Sequence, residues 1–149
     1  ERIVVMVQKE VAERICAKAG DMSMLAVSVQ YYGTPQIITK VSRGSFWPSP
    51  VVDSAVLLIS NLSRISPEVP LGIPTLRRDR LSKVSDEQFF KVVKAGFSNK
   101  RKQLWHNLAS GLNLEKETVK SVLKEVVGNE KIRAEDLSVE DWKKIVEKL

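Results

Sequence analysis

Two aromatic residues followed by two spaced prolines form the most suggestive chemical feature of the sequence, Phe46-Trp47-Pro48-Ser49-Pro50. Each proline fixes its own φ, so the pair stiffens the chain between two predicted strands and holds an aromatic side chain at a sheet edge. A rigid exposed ring suits a flat ligand such as an unpaired nucleobase, whose stacking contributes about 1–3 kcal/mol. The residues alone also allow a simple crossover in which Phe46 and Trp47 only cover the sheet.

A second group of residues could bind phosphates. The 149-residue chain has a net charge of +6, and the excess lies in residues 61–110, which hold ten Lys and Arg against four Asp and Glu. A local cationic surplus is what a phosphate-binding surface needs, although a solvated charged face gives the same composition. The candidates are Arg43, beside the aromatic segment, and Arg77, Arg78, Arg80, Lys100, Arg101 and Lys102.

Other kinds of chemistry have little support in the sequence. The chain has one cysteine, Cys16, and one histidine, His106, so we expect no internal disulfide and no protein-bound metal. Helical spacing around Cys16 predicts a buried structural thiol, and His106 has no catalytic partner. No apolar run approaches the roughly 18 residues of a membrane-spanning helix, and the first residues lack a signal-peptide layout. We therefore expect a cytoplasmic protein without a membrane partner.

The aromatic segment lies between two strands of a predicted α/β part. Residues 3–7 read as a strand that leads into a helix ending near Ala19, and residues 23–32 as a weakly patterned helix. Residues 34–41 and 52–60 read as strands. Because the first strand is apolar throughout, it should be covered on both faces, and we expect its neighbours to lie in sequence outside this chain.

The basic residues lie beside or within a predicted helical part. Residues 61–83 contain three prolines and no sustained period, which predicts a linker. Ser85 and Gln88 have capping-box spacing, and four apolar stripes then predict four helices. The stripes are Phe89, Val93 and Phe97; Leu104, Leu108 and Leu112; Val119, Val122 or Leu123, and Val126; and Trp142, Ile145, Val146 and Leu149. We also expect residues 100–102 to begin the second helix, Trp105 and Trp142 to be core residues, Asn113 and Ser138 to be N-caps, and Gly128 to end the third helix.

Four ordered segments resemble signatures of the KsgA family of ribosomal RNA adenine dimethyltransferases. From Phe46 the chain reads Phe-x-Pro-x-Pro-x-Val-Asp-Ser-Ala-Val, which resembles the segment after the family's sixth strand. Residues 6–14 resemble the family's preceding strand and helix, residues 96–108 its basic helical motif, and residues 133–138 its last signature. The first two signatures also occur in related enzymes that methylate large-subunit RNA, whereas the last two favour the small-subunit family.

The resemblance implies that Phe46 stacks on the target adenine once the base has left its RNA strand, and that S-adenosylmethionine donates the methyl groups. In this family the donor binds a glycine-rich loop, and a catalytic tetrapeptide contains proline followed by tyrosine. The seven glycines here are widely separated, and none of the six prolines precedes tyrosine. We therefore expect the C-terminal part of an enzyme, inactive alone and without the donor site, that self-associates through an exposed strand edge.

The predicted class is α/β. Residues 1–62 are assigned to the C-terminal half of a Rossmann-like class I methyltransferase domain, residues 63–82 to a linker and residues 83–149 to a helical RNA-binding domain. For the intact enzyme the resemblance implies dimethylation of the N6 amine of two adjacent adenosines near the 3′ end of small-subunit rRNA, with that rRNA and the small ribosomal subunit as partners. The alternatives are a non-catalytic RNA-binding assembly factor, a large-subunit rRNA adenine methyltransferase, and a DNA-associated transcription factor like some mitochondrial relatives.

Overall fold

The computed structural model describes residues 1–62 and 84–149, which form two compact units. The described residues of the first unit are 1–16 and 29–62, and those of the second are 17–28 and 84–149. The predicted linker, residues 63–82, lies outside the described residues. Strands and helices are both present, so the predicted α/β class is confirmed.

The first unit contains a three-stranded sheet. Its strands are β1 (Ile3–Gln8), β2 (Thr34–Val41) and β3 (Ser54–Ser60), in the order β1-β3-β2 with both pairs antiparallel. All three predicted strands are confirmed, although β3 begins at Ser54 instead of Val52. The helix α1 (Lys9–Ile15) follows β1 directly and ends about four residues earlier than predicted.

In the described residues the strand β1 has an exposed edge, as the sequence predicts for a strand without its usual neighbours. In the described part of the chain it is an edge strand that pairs with β3 alone, and its residues Val4 and Met6 are 64% and 54% exposed. A strand buried on both faces needs covering elements on each side, and the described residues supply too few of them. An apolar edge with free backbone groups is open to further strand pairing.

The core of the first unit joins α1 to the sheet. Ala12 and Ile15 of α1 pack with Ala55 and Leu57 of β3. Cys16 borders this cluster and is half-buried instead of fully buried. Desolvation raises the pKa of its thiol, although a hydrogen bond with the backbone of Ile37 acts in the opposite direction, so the group stays a neutral structural thiol near pH 7.

The second unit contains the four predicted helices: α3 (Asp86–Gly96), α4 (Leu104–Leu112), α5 (Lys116–Val127) and α6 (Val139–Lys148). The helix predicted at residues 23–32 is confirmed as α2 (Met24–Tyr32), which begins in this unit and ends in the first. Each predicted stripe supplies core residues. The largest fully buried side chains include Phe89, Leu104, Leu108, Leu123, Trp142 and Ile145.

Most of the predicted helix ends are confirmed. The Ser85 hydroxyl accepts a hydrogen bond from the Gln88 amide at 3.2 Å, and Ser138 and Asp141 form a complete capping box. Gly128, with φ of 75°, ends α5. The prediction for Asn113 is wrong, because this residue ends α4 in the left-handed region at φ 55°, ψ 44°. Short polar side chains tolerate that region, which makes asparagine ambiguous between the two kinds of cap.

Residues 17–28 pack with the helical residues of the second unit. The amides of Gly20 and Met22 both donate to the Glu135 carbonyl at 3.0 Å, and Met22, Ala26 and Val27 are buried. The sequence-based division had placed these residues in the first domain by their position alone. The division at residues 1–62, 63–82 and 83–149 stays a prediction.

Candidate nucleic-acid interface

The aromatic segment lies in a structured turn, residues 42–53, that connects β2 to β3; we call it the aromatic turn. A short 3-10 helix, Arg43–Ser45, starts it, and the Ser42 hydroxyl accepts a hydrogen bond from the Gly44 amide at 3.3 Å. The Phe46 amide donates to the Arg43 carbonyl at 3.3 Å, so the chain reverses immediately before the aromatic pair. The following peptide bond, Trp47-Pro48, is cis.

Arg43 and Asp53 close the aromatic turn. The Arg43 guanidinium donates through Nη1 to the Val51 carbonyl at 3.1 Å, and the Ser49 hydroxyl donates to the Arg43 carbonyl at 2.9 Å. The Arg43 amide donates to Asp53 Oδ1 at 3.0 Å. The Asp53 carbonyl accepts from the Lys9 amide at 2.9 Å, which fixes the turn to the start of α1. The predicted stiffness of the segment thus comes from side-chain hydrogen bonds as well as from proline.

The two aromatic rings of the turn differ in exposure. Phe46 is half-buried, whereas Trp47 is 98% exposed and Val51 is 86% exposed. Beside the turn lies an open cleft of about 540 Å³ with mostly polar walls. Its lining residues are Lys9, Glu10, Ser42, Arg43, Val51, Val52 and Asp53. Because Phe46 is only half-buried, part of its surface stays open to a ligand.

The second group of candidates, Lys100, Arg101 and Lys102, lies on a loop between α3 and α4, residues 97–103, which we call the basic loop. The prediction that they begin the second helix is wrong, since α4 begins at Leu104. Asn99 causes the difference: its side-chain oxygen accepts from the Arg101 amide at 3.3 Å and its carbonyl from the Lys102 amide at 3.2 Å. These bonds form a turn that competes with helix.

All three cations of the basic loop are exposed. Within the described part of the chain, none of them forms an ion pair with a carboxylate, whereas Lys120, Arg133 and Lys143 do. Uncompensated cations on a fixed loop create the positive potential that attracts phosphate. Arg43 is exposed and belongs to the other unit; Arg77, Arg78 and Arg80 lie outside the described residues.

A buried asparagine positions the basic loop. Asn107 is 4% exposed, and its Nδ2 donates to the carbonyls of Gly96 at 2.8 Å and Asn99 at 2.9 Å. These carbonyls stand at the end of α3 and in the basic loop, so one side chain ties the loop to α4. In the sequence, Asn107 stands out only as part of the motif in residues 96–108. The available signal was a polar residue on the same helix face as Leu104 and Leu108.

The glycine that precedes the basic loop is required by packing. A Cβ atom on Gly96 would lie 2.9 Å from Leu104 Cδ1 and still closer to the Trp142 ring. Trp142 is fully buried and stacks on Phe97 with ring centroids 5.7 Å apart, which confirms its predicted core position. The start of the loop is therefore fixed by tight contact between α3, α4 and α6.

Trp105 is not a core residue, contrary to the prediction. It is half-buried, its Nε1 donates to Gln103 Oε1 at 2.6 Å, and Lys120 Nζ lies 4.9 Å from its ring centroid. Helical spacing alone could not separate this boundary position from the buried face beside it. His106 is exposed.

Residues 1–62 and 84–149 bear on two further features, a metal site and a membrane-spanning helix. No group of three or more His, Cys, Asp or Glu side chains in these ranges is placed to hold a metal ion. None of the helices in the same ranges has the length and apolar character required to cross a membrane.

Comparison with known proteins identifies close relatives. The model of a family described as ribosomal RNA adenine dimethylase matches residues 1–149. The ribosomal RNA small subunit methyltransferase A of Dehalococcoides mccartyi is 41% identical over 145 residues, covering 97% of this chain and 45% of the relative. The protein of the same name from Fusobacterium nucleatum is 38% identical, covering 95% of this chain and 49% of the relative. The chain thus spans less than half the length of these relatives.

Two solved structures share the fold. The 23S rRNA methyltransferase ErmE aligns with a TM-score of 0.66 at 21% identity, covering all of this chain and 55% of that one. A dimethyladenosine transferase from Plasmodium falciparum aligns with a TM-score of 0.70 at 22% identity, covering 97% of this chain and 56% of that one.

Proposed function

The chain belongs to the ribosomal RNA adenine dimethylase family, and we propose that it is the C-terminal part of a longer cytoplasmic enzyme that dimethylates small-subunit rRNA. The proposed substrate is the N6 amine of two adjacent adenosines near the 3′ end of that RNA. Relatives that are 38–41% identical bear the name of a small-subunit rRNA methyltransferase, which supports this choice over the large subunit. Below, "parent protein" means the proposed full-length enzyme.

The chemistry of the reaction explains the need for the aromatic turn. The N6 amine of a stacked, paired adenine cannot reach a methyl donor, so the base must leave its strand. The amine is also a weak nucleophile because its lone pair is delocalised into the ring, and the site must therefore orient it closely. Phe46 is half-buried in a turn held by Arg43 and Asp53, and we assign to it one wall of the adenine pocket.

The proposed donor of the parent protein is S-adenosylmethionine, which supplies an activated methyl group when bound. Such donors bind a glycine-rich loop between a strand and a helix. Here β1 passes into α1 at Lys9 without a glycine, and both strand pairs of the described sheet are antiparallel. The described residues do not fit the donor, so we assign its site to the rest of the parent protein and expect this chain alone to be inactive.

The basic loop is proposed to bind RNA phosphates. Lys100, Arg101 and Lys102 are exposed and adjacent, and Asn99 and Asn107 fix the backbone that carries them. Phosphate contacts position a protein on RNA without reading sequence. We propose the same role for Arg43 and for Arg77, Arg78 and Arg80.

A non-catalytic RNA-binding factor for small-subunit assembly is the second candidate. The exposed cations of the basic loop would serve such a factor equally well, since phosphate contacts need no methyl donor. It differs from the first candidate in one measurable respect, the transfer of methyl groups.

The test is a methylation assay with small ribosomal subunits whose adenosines are unmodified. We expect the parent protein with S-adenosylmethionine to form N6,N6-dimethyladenosine, detected by mass spectrometry of the digested RNA, and this chain alone to form none. Tight binding of the subunits without methyl transfer would favour the assembly factor. Methylation of large-subunit RNA instead would overturn the substrate assignment.

A further inference from the structure

The most exposed large ring in the described residues is Trp47, and the pocket role proposed for Phe46 does not use it. The side chain is 98% exposed, although tryptophan is usually largely buried because its apolar surface is large. The turn around it is held by the hydrogen bonds of Arg43, Ser49 and Asp53. The protein thus holds a large apolar ring in water on a fixed backbone.

The backbone and the exposures distinguish the Phe46 ring from the Trp47 ring. Phe46 has extended backbone angles, φ −117° and ψ 151°, and successive side chains of an extended chain point to opposite sides. The observed exposures agree with this, since Phe46 is half-buried and Trp47 almost fully exposed. A base stacked on Phe46 therefore leaves both faces of the Trp47 ring free for another base.

We propose that Trp47 is a second stacking platform, which holds an unpaired nucleobase next to the target adenine. The proposal rests on the proposed function, because that function brings a single-stranded RNA segment to the aromatic turn. Stacking on an aromatic ring requires only a flat face and tolerates any base. Trp47 would act as a positioning residue that holds the flanking strand while the target base enters the pocket.

The residues around Trp47 favour RNA over a protein partner. A stable protein interface buries about 800 Å² on each partner around an apolar centre. In the described aromatic turn the other strongly exposed large apolar side chain is Val51, and the exposed neighbours include Ser42, Arg43, Gly44, Ser45 and Ser49. Pro48 and Pro50 are exposed as well. The apolar surface is thus limited to residues 47–51 with polar residues before it, which suits a single base better than the broad apolar centre of a protein interface.

Charge near the ring also fits a nucleotide. Arg43 uses one guanidinium nitrogen on the Val51 carbonyl, and the rest of its exposed side chain can donate to a phosphate. Lys9 lines the cleft on the same side of the turn. Two carboxylates, Glu10 and Asp53, line that cleft too, and Asp53 already accepts a hydrogen bond from the Arg43 amide. Phosphate is therefore expected at Arg43, in the same turn as Trp47.

The test measures binding of two fluorescent probes to the parent protein: an oligoadenylate, and a matched ribose-phosphate chain without bases. Trp47→Ala should weaken oligoadenylate binding by about 5- to 150-fold, the range expected for one lost stack, and leave binding of the abasic chain unchanged. Trp47→Phe should restore most of the affinity. Ile38→Ala, which removes exposed apolar surface of the same unit outside the aromatic turn and its cleft, is the matched control and should bind as the wild type does.

A second readout separates positioning from folding. Trp47→Ala should raise KM for small subunits with kcat close to wild type, and oligoadenylate should quench tryptophan emission in the wild type more than in Trp47→Phe. Equal weakening for both probes, or weaker binding of whole subunits with unchanged oligoadenylate affinity, would overturn the stacking role; the second result would indicate a protein contact. Failure of the parent protein to methylate any rRNA would refute the proposed function, and the binding result would still decide the role of Trp47.

Discussion

Replacing Asn107 by leucine should loosen the basic loop and destabilise the helical unit. The substitution keeps the approximate size of the side chain but removes both donors, so the carbonyls of Gly96 and Asn99 lose partners at 2.8 and 2.9 Å. Each lost hydrogen bond costs about 0.5–1.5 kcal/mol, and a carbonyl left buried without a partner costs about 1–3 kcal/mol. The bond to Gly96 is buried and that to Asn99 partly buried, so we expect a total loss of about 2–4 kcal/mol.

Two measurements on the parent protein check this value. Urea denaturation should give the loss in the free energy of unfolding, and amide hydrogen exchange should show faster exchange at Arg101 and Lys102, whose amides bond to Asn99. His106→Ala, on the exposed side of the same helix, is the control and should change stability by less than about 0.5 kcal/mol. Wild-type stability together with unchanged exchange in Asn107→Leu would refute the idea that this amide holds the loop.

Three further predictions concern the basic loop, the glycine before it and the exposed strand. Replacing Lys100, Arg101 and Lys102 together by alanine should weaken RNA binding. The plot of the logarithm of the binding constant against the logarithm of the salt concentration should become less steep, by about 0.7 for each lost phosphate contact; an unchanged slope would contradict phosphate binding. Gly96→Ala should destabilise the helical unit by about 1–3 kcal/mol because its Cβ would overlap Leu104 and Trp142, whereas Gly44→Ala, with 3.8 Å to its nearest neighbour, should not; thermal unfolding of both variants measures this. This chain alone should self-associate through β1, and Val4→Lys should reduce the association; light scattering that shows only monomer at high concentration would refute it.

The strands and helices were predictable because their signals are local. Apolar periods located β2 and the four helices of the second unit, and the capping box of Ser138 and Asp141 was visible in the sequence. The position of Asn113 at the end of α4 was not predictable, because asparagine is common both at the start and at the end of helices. The packing of residues 17–28 in the second unit involves backbone hydrogen bonds from Gly20 and Met22 to Glu135. A local sequence pattern cannot predict contacts between residues so far apart in the chain.

The candidate site was only partly predictable, for a similar reason. Proline spacing and aromatic residues identified the aromatic turn, but its closure by Arg43 and Asp53 depends on atoms brought together across ten residues. Residues 100–102 were expected to begin the second helix, whereas the turn at Asn99 moves the start of α4 to Leu104. The role of Asn107 was not predictable, because its hydrogen bonds to the carbonyls of Gly96 and Asn99 form only in the folded chain.

The central claim is that Phe46 forms one wall of an adenine pocket in a dimethyltransferase. The most direct test compares kcat for N6,N6-dimethyladenosine formation on unmodified small subunits, at saturating subunit concentration, for the parent protein and its Phe46→Ala and Trp47→Ala variants. Loss of the stack on the target base should lower kcat of Phe46→Ala by about 5- to 150-fold, while Trp47→Ala keeps a kcat close to wild type. Equal losses of kcat in the two variants, or no dimethyladenosine from the wild type, would contradict the claim.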